Sequence, residues 1–207
     1  MTDMTDVPAG DPGLRERKKA RTRAAIRQHA LRLFREQGYG ATTTEQISAA
    51  AEVSPATFFR YFPTKEDVVL QDDFDIITLQ ALEAQPPELS PIAAFRGAAA
   101  AAREQLSADD LARFAETTQL TLSVPEIRAR ALDELIRTTD VITAAIAART
   151  GRGADDFAAR NLAGAIIGVI MTATMPWQTV ADGSTNVDEM FDRIDAGLAH
   201  LEAGLPL

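Results

Sequence analysis

The sequence predicts an all-α protein of about nine helices, with a small N-terminal domain followed by a larger C-terminal one. Apolar residues recur at three- and four-residue spacing over most of the 207 positions, which is the period of amphipathic helices. Proline, glycine and serine interrupt this pattern at short intervals, and no convincing strand pattern occurs. Charge divides the chain too, because residues 14–65 hold 11 of the 21 Lys and Arg but only 4 of the 30 Asp and Glu.

The first helix is predicted over residues 15–37, where Gly38 ends it. Its apolar stripe consists of Ile26, Ala30, Leu33 and Phe34. Residues 1–13 contain Asp, Pro and Gly without an apolar run, so we expect a disordered tail and no secretory signal.

Two short helices are predicted next. Thr43 or Thr44 can cap the first of them. Ser54 can cap the second, and Pro55 stands at its first position, where a missing N–H costs nothing. Pro63 ends this helix after two turns.

The second short helix has two chemically distinct faces. At 100° per residue, Phe58 and Phe62 share one side. Ala56, Thr57 and Arg60 share the other. A methyl, a hydroxyl and a guanidinium opposite an aromatic anchor suit the major groove of DNA, where such groups read base edges. We therefore predict a helix-turn-helix DNA-binding unit in which these three residues contact bases.

This segment resembles the DNA-binding domain of the TetR family of bacterial repressors, over roughly the first third of the chain. The family motif reads here as TT at 43–44, AEVS at 51–54, AT at 56–57, FFRYF at 58–62 and TKE at 64–66. The resemblance implies phosphate contacts from Thr44, Tyr61 and Lys65. It implies base or sugar contacts from Pro55, Ala56, Thr57, Phe59 and Arg60. The predicted DNA-binding set also includes Thr43, Ser54, Arg15, Lys18 and Lys19.

Three residues depart from the family pattern. Glu52 replaces the turn glycine, so a residue with a side chain must adopt a backbone conformation that glycine takes freely, or the turn must differ slightly. Ala56 replaces a second glycine, which favours helix. Phe59 stands where the family often has a tyrosine that bonds a phosphate, and phenylalanine has no hydroxyl for that bond.

The charge distribution supports DNA binding independently of the motif. Residues 14–65 carry 11 basic and 4 acidic side chains, a net +7, whereas the remaining 10 basic and 26 acidic side chains give −16. A basic face within a Debye length of the phosphates can dominate while the acidic remainder points away. The densest cluster is Arg15, Arg17, Lys18, Lys19, Arg21 and Arg23. It either contacts the DNA backbone or minor groove, or is a solvated helix end.

The rest of the chain is predicted to be helical. A fourth helix over 65–84 links DNA reading to the larger domain. Further helices are predicted over 91–105, 108–122, 125–150, 154–180 and 187–203. The resulting domains are a tail (1–13), a helix-turn-helix domain (14–64) and an effector-binding and dimerisation domain (65–207).

Apolar stripes on the last two helices predict a dimer interface. They consist of Leu162, Ile166, Val169 and Ile170 on one helix, and Met190, Ile194, Leu198 and Leu201 on the other. In the TetR family the corresponding helices form a four-helix bundle between two subunits. The resemblance therefore implies a homodimer that reads a near-palindromic site. The alternative is that both stripes face the core of their own subunit.

The resemblance also places a small-molecule pocket in the larger domain and implies that the protein is a repressor. Candidate effector contacts are Phe95, Phe114, Thr118, Gln119, Met171, Thr174, Met175 and Trp177. Residues 121–177 resemble TetR relatives associated with acyl-type ligands, which implies a hydrophobic effector.

Two rival classes of function fit the sequence less well. An enzyme is disfavoured because His29 and His200 are the only histidines, cysteine is absent, and no GxSxG, P-loop or dinucleotide motif occurs. The same composition predicts neither a metal site nor a cofactor. A helical adaptor or ligand-binding protein that does not bind DNA would leave the +7 segment unexplained.

The predicted location is the cytoplasm, because the absence of cysteine suits a reducing compartment. The most apolar stretch, residues 162–177, is short for a membrane span and is interrupted by glycine and threonine. We therefore expect a buried helix and no membrane partner.

Overall fold

The computed structural model describes residues 13–71, 74–174 and 186–206, and every regular element in those ranges is an α-helix. The helices are α1 (Leu14–Gln37), α2 (Thr44–Ala50), α3 (Pro55–Tyr61), α4 (Asp67–Leu70), α5 (Phe74–Glu83), α6 (Pro91–Glu104), α7 (Ala108–Ser123), α8 (Pro125–Thr150), α9 (Phe157–Thr174) and α10 (Val187–Glu202). The all-α prediction is confirmed.

The described residues contain ten helices and not nine, because the predicted helix over 65–84 is two helices. The side chains of Thr64 and Asp67 cap each other's backbone N–H groups at 3.2 and 3.0 Å, so α4 begins two residues later than predicted. It ends at Leu70, ahead of a Gln-Asp-Asp run whose aspartates have low helix propensity.

The chain divides into two compact units, one ending at Val69 and the other beginning at Leu70. The first unit is α1 to α3 with most of α4. Its core is formed by side chains that are at most 5% exposed, namely Ile26, Ala30, Leu31, Phe34, Ile47, Phe58, Phe62, Val68 and Val69. The first turns of α1 remain exposed, so its basic residues lie outside this core.

The second unit is a helical bundle in which α9 packs between α8 and α10, and α6 packs against α5 and α10. Arg96 of α6 forms a bidentate ion pair with Asp195 of α10, at 2.8 and 3.0 Å. This guanidinium lowers the pKa of the Asp195 carboxyl below its ordinary value. Two turns further along α6, Arg103 forms ion pairs with Asp188 and Asp192 of α10. Ion pairs therefore link α6 to α10 at two places.

Helix α9 is long and apolar enough, by length and composition, to cross a membrane. In the bundle it instead contributes Ala159, Ala163, Ile166 and Ile167 to the core. Only 22% of its residues are buried, so the predicted buried helix is buried on one face only.

Four of the eight residues predicted to form a dimer interface belong to the core of their own subunit. Ile166, Met190, Ile194 and Leu198 are at most 9% exposed. Leu162, Val169, Ile170 and Leu201 are partly buried and pack against the same core. A 3.6-residue stripe marks an apolar face without saying which partner buries it. Here the subunit itself buries the first four residues, and the other four stay a predicted interface. On α9 the exposed positions are Phe157, Ala158, Arg160, Asn161, Gly164, Gly168 and Thr172.

Candidate DNA interface and ligand cavity

The start of α2 is fixed by a capping box. The Thr43 hydroxyl accepts a hydrogen bond from the Gln46 N–H at 3.3 Å, and the Gln46 side-chain oxygen accepts one from the Thr43 N–H at 2.9 Å. Thr43 is therefore the cap, and Thr44 is the first residue of the helix.

Between α2 and α3, Glu52 adopts the left-handed conformation predicted for the turn, with φ of 54°. Its N–H donates to the Ala49 carbonyl at 3.2 Å, and the Val53 N–H donates to the Ser48 carbonyl at 2.9 Å. This pair of bonds is a Schellman motif with glutamate at the position where glycine is usual. The turn thus keeps its shape at the cost of backbone strain.

Helix α3 has the two faces that its sequence predicts. Phe58 and Phe62 are fully buried, whereas Ala56 and Arg60 are exposed. The Ser54 hydroxyl caps the helix by accepting from the Thr57 N–H at 3.1 Å. The outer face is therefore free of core contacts and open to a DNA groove.

The predicted DNA-binding residues all belong to the first unit, and none of them is fully buried. Exposed members are Arg15, Lys18, Lys19, Thr43, Ser54, Pro55, Ala56, Phe59 and Arg60. Half-buried members are Thr44, Thr57, Tyr61 and Lys65. Phe59 is 47% exposed, so its ring is accessible on the surface of α3.

Lys65 has a structural role that the sequence did not indicate. Its Nζ donates to the carbonyls of Tyr39 at 2.9 Å and Thr42 at 3.0 Å. It also lies 3.9 Å from the centre of the Tyr39 ring. Lys65 therefore connects the turn before α4 to the loop between α1 and α2. These contacts also fix the position of its ammonium group.

Arg23 and Arg27 pack their guanidinium groups over the Phe62 ring, at 5.1 and 5.9 Å from its centre. Arg27 is 6% exposed and lies outside the predicted basic cluster, which ends at Arg23. Of the densest basic cluster, Arg23 is thus half-buried, and Arg15, Arg17, Lys18, Lys19 and Arg21 are exposed. The exposed members give a positive charge to the N-terminal turns of α1, the helix that precedes the recognition unit in sequence.

The second unit contains an apolar cavity of about 130 Å³. Its described lining is Phe74, Thr78, Leu79, Phe95, Ala99, Phe114, Thr138, Val141, Ile142, Ile170, Thr174, Phe191 and Ile194. Threonine hydroxyls are the only polar side-chain groups in this set, and none of it is charged. Such a surface suits a neutral, mainly apolar molecule.

Three aromatic rings form one wall of the cavity. Phe114 and Phe191 stack with an interplanar angle of 24° and ring centres 5.8 Å apart. Phe74 tilts against both, at 5.8 and 5.3 Å. Rings from α5, α7 and α10 thereby meet at one place.

The cavity includes three of the predicted effector residues, Phe95, Phe114 and Thr174. It does not include Thr118, Gln119 or Met171, which lie elsewhere on α7 and α9. Met175 and Trp177 lie outside the described residues. The lining residues Phe74, Thr78 and Leu79 were missed because α5 was interpreted only as a link, although their i, i+4, i+5 spacing marks one helix face.

Among the described residues there is no group of three His, Asp or Glu side chains that is placed to hold a metal ion. The titratable side chains of these ranges therefore offer no metal centre to the cavity.

Models of two protein families match the chain. Residues 26–71 match the family described as bacterial regulatory proteins, tetR family. Residues 89–206, more than half of the chain, match the MftR C-terminal domain. The chain belongs to the TetR family. It is therefore a DNA-binding transcriptional regulator, and α2 and α3 are its helix-turn-helix.

Two curated TetR-family relatives are similar in sequence. TcmR of Streptomyces glaucescens, an HTH-type transcriptional regulator, is 46% identical over 101 residues, which is 45% of this chain and 45% of TcmR. MftR of Mycobacterium tuberculosis, whose name assigns it to the regulation of mycofactocin biosynthesis, is 25% identical over 190 residues, 89% of this chain and 95% of MftR.

Two solved structures share the fold. FadR of Thermus thermophilus, a TetR-family repressor crystallised with lauroyl-CoA, has a TM-score of 0.54 and 24% identity, covering 89% of this chain and 95% of FadR. A TetR-family protein from Syntrophomonas wolfei has a TM-score of 0.61 and 19% identity, covering 91% and 98% of the two chains.

Proposed function

We propose that this TetR-family regulator is a repressor that binds a near-palindromic operator as a homodimer and leaves it when a small hydrophobic effector binds. In this proposal residues 14–64 read DNA, and residues 65–207 bind effector and dimerise. The apolar cavity carries the proposal, because its lining includes α5, the first helix after the DNA-binding unit in sequence.

The proposed mechanism is a change in headpiece spacing. An effector packed against Phe74, Thr78 and Leu79 contacts α5 directly, and α5 follows α4 after three residues. Displacement of α5 alters the separation of the two recognition helices in the dimer. Affinity falls because both half-sites can no longer be engaged together.

The effector is the only small molecule that this function requires, so we propose a cytoplasmic regulator without catalytic activity or a cofactor. Its partners are double-stranded operator DNA, a second copy of the chain and the effector.

The decisive experiment is selection of bound sequences from a random DNA pool by the purified full-length protein, at two salt concentrations. We expect an enriched near-palindrome whose affinity falls steeply with salt, since phosphate contacts release counterions. Candidate effectors, with lauroyl-CoA as one comparison compound, are then tested for release of that operator. Absence of enrichment at both salt concentrations would mean that the protein needs its effector in order to bind DNA, or that this headpiece has lost its role.

The mechanism has its own test. Distances between spin labels on the two headpieces should change when an effector that releases DNA is added. An unchanged separation would contradict the proposed motion and favour a change in rigidity alone.

A further inference from the structure

The Thr78 hydroxyl is a buried polar group without a hydrogen-bond partner in the described part of the chain. Thr78 lies on α5, is 6% exposed and lines the cavity. Its Oγ1 makes no hydrogen bond to any described group. Burial of a hydroxyl costs free energy unless a partner compensates for it, so this position calls for one.

Other threonines of the second unit satisfy their hydroxyl groups by donating to a backbone carbonyl of their own helix. Thr174 donates to the Ile170 carbonyl at 2.9 Å, and Thr117 donates to the Phe114 carbonyl at 3.1 Å. Thr143 likewise donates to the Thr139 carbonyl at 2.7 Å. In each case the acceptor is a carbonyl one turn earlier in the helix, and Thr78 makes no such bond.

The surroundings of Thr78 restrict what its partner can be. The described cavity lining contains no charged side chain, so a charged group on a ligand would be unpaired there. The rings of Phe74, Phe114 and Phe191 offer contact to the apolar body of a ligand. The remaining need is one hydrogen-bond acceptor beside the Thr78 hydroxyl.

We propose that Thr78 is the polar anchor of the effector site and donates its hydroxyl hydrogen to a carbonyl oxygen of a neutral, mainly apolar effector. This inference rests on the proposed function, since it concerns the same cavity. It names the chemistry that the effector must carry, which is an uncharged hydrophobic body with a carbonyl group.

The test compares two uncharged probes of the same shape, 2-acetylnaphthalene and 2-isopropenylnaphthalene, which differ by a carbonyl oxygen in place of a methylene group. Binding of each to the full-length protein is measured by equilibrium dialysis without DNA. The ketone-to-alkene affinity ratio is then compared between variants, so that the different hydrophobicities of the probes cancel.

We expect Thr78→Val to lower this ratio about three- to tenfold, because it removes the donor and keeps the shape. Thr78→Ser keeps the hydroxyl and should hold the ratio near that of the wild type. Thr117→Val is the matched control, because Thr117 is also 6% exposed but does not line the cavity.

An unchanged ratio in Thr78→Val would overturn the anchor while leaving the cavity a ligand site. A loss of the ratio in Thr117→Val as large as in Thr78→Val would overturn it too, since the effect would then be general. Failure of the wild type to bind either probe would overturn the anchor and the proposed effector site together.

Discussion

Glu52 holds a backbone position that glycine occupies without strain. The left-handed conformation costs a residue with a Cβ about 1–2 kcal/mol, yet the Schellman bonds around Glu52 are intact. The side chain is also an exposed negative charge next to the recognition helix, where phosphates are expected.

We therefore expect Glu52→Gly to raise the free energy of unfolding by about 0.5–1 kcal/mol and to tighten operator binding. Denaturant unfolding and operator titration measure the two effects. Glu52→Gln separates them, because it removes the charge and keeps the strain. If both variants gained the same stability, strain would not be the cause.

Arg60 is the exposed cation of the recognition face. Its guanidinium lies 5.4 Å from the centre of the neighbouring Tyr61 ring, which supports the side chain on the helix surface. Arg60→Ala should cost about 1–3 kcal/mol of specific binding and relax sequence preference at one position in each half-site.

Sequence selection with the Arg60→Ala variant checks this prediction. Arg113→Ala is the control, since Arg113 is an exposed arginine of the second unit that pairs with Asp110. Unchanged preference in Arg60→Ala would mean that another side chain reads the base.

At the scale of elements, Lys65 is one of the side chains that join the segments of the first unit, together with the Tyr39 hydroxyl, which donates to Glu66. Lys65 binds the carbonyls of Tyr39 and Thr42, and so connects the entry of α4 to the loop before α2. Removing a donor from half-buried carbonyls costs about 1–3 kcal/mol. Lys65→Met, which keeps the apolar stem, should therefore destabilise the unit by that amount.

Lys18→Met is the matched control, because Lys18 is exposed on α1 and is expected to contact only phosphate. It should reduce the salt dependence of operator binding by about one unit of slope without loss of stability. Thermal unfolding together with operator titration at several salt concentrations distinguishes the two lysines. Equal stability of both variants would show that the Lys65 bonds contribute nothing measurable.

Local signals in the sequence predicted elements well where caps are present. Helix α8 spans Pro125–Thr150 as predicted, because proline begins it and Gly151, at φ of 65°, ends it. The faces of α3 also follow from its period alone. The division of the fourth helix was missed, since its cap at Thr64 and the following aspartates carry weaker signals.

The cavity could not be predicted in the same way. Phe74, Phe114 and Phe191 meet from three helices that are far apart in sequence, and their spacing within each helix indicates only a buried side. The same ambiguity assigned Ile194 and Leu198 to a dimer interface when they belong to the subunit core. Periodicity identifies an apolar face, but tertiary packing decides what covers it.

For the whole molecule, the distribution of charge fits a division of labour between the two units. The +7 segment at residues 14–65 attracts DNA, while the acidic remainder keeps the rest of the protein away from the phosphates. In the proposed dimer, two headpieces that act together would bind a two-half-site operator more tightly than one headpiece would.

The predicted dimer is best tested on the exposed face of α9. Gly164 lies there, and a Cβ added to it would meet no atom within 4 Å in its own subunit. Gly164→Leu should therefore leave the subunit folded, and should favour helix, because leucine has the higher helix propensity. If α9 approaches its copy closely, the leucine side chain blocks that approach. We expect a shift from dimer to monomer in sedimentation velocity, with loss of binding to a two-half-site operator.

Ala112→Leu adds apolar bulk to an exposed position of α7 and serves as the control. A Gly164→Leu protein that stays dimeric would place the interface on another surface.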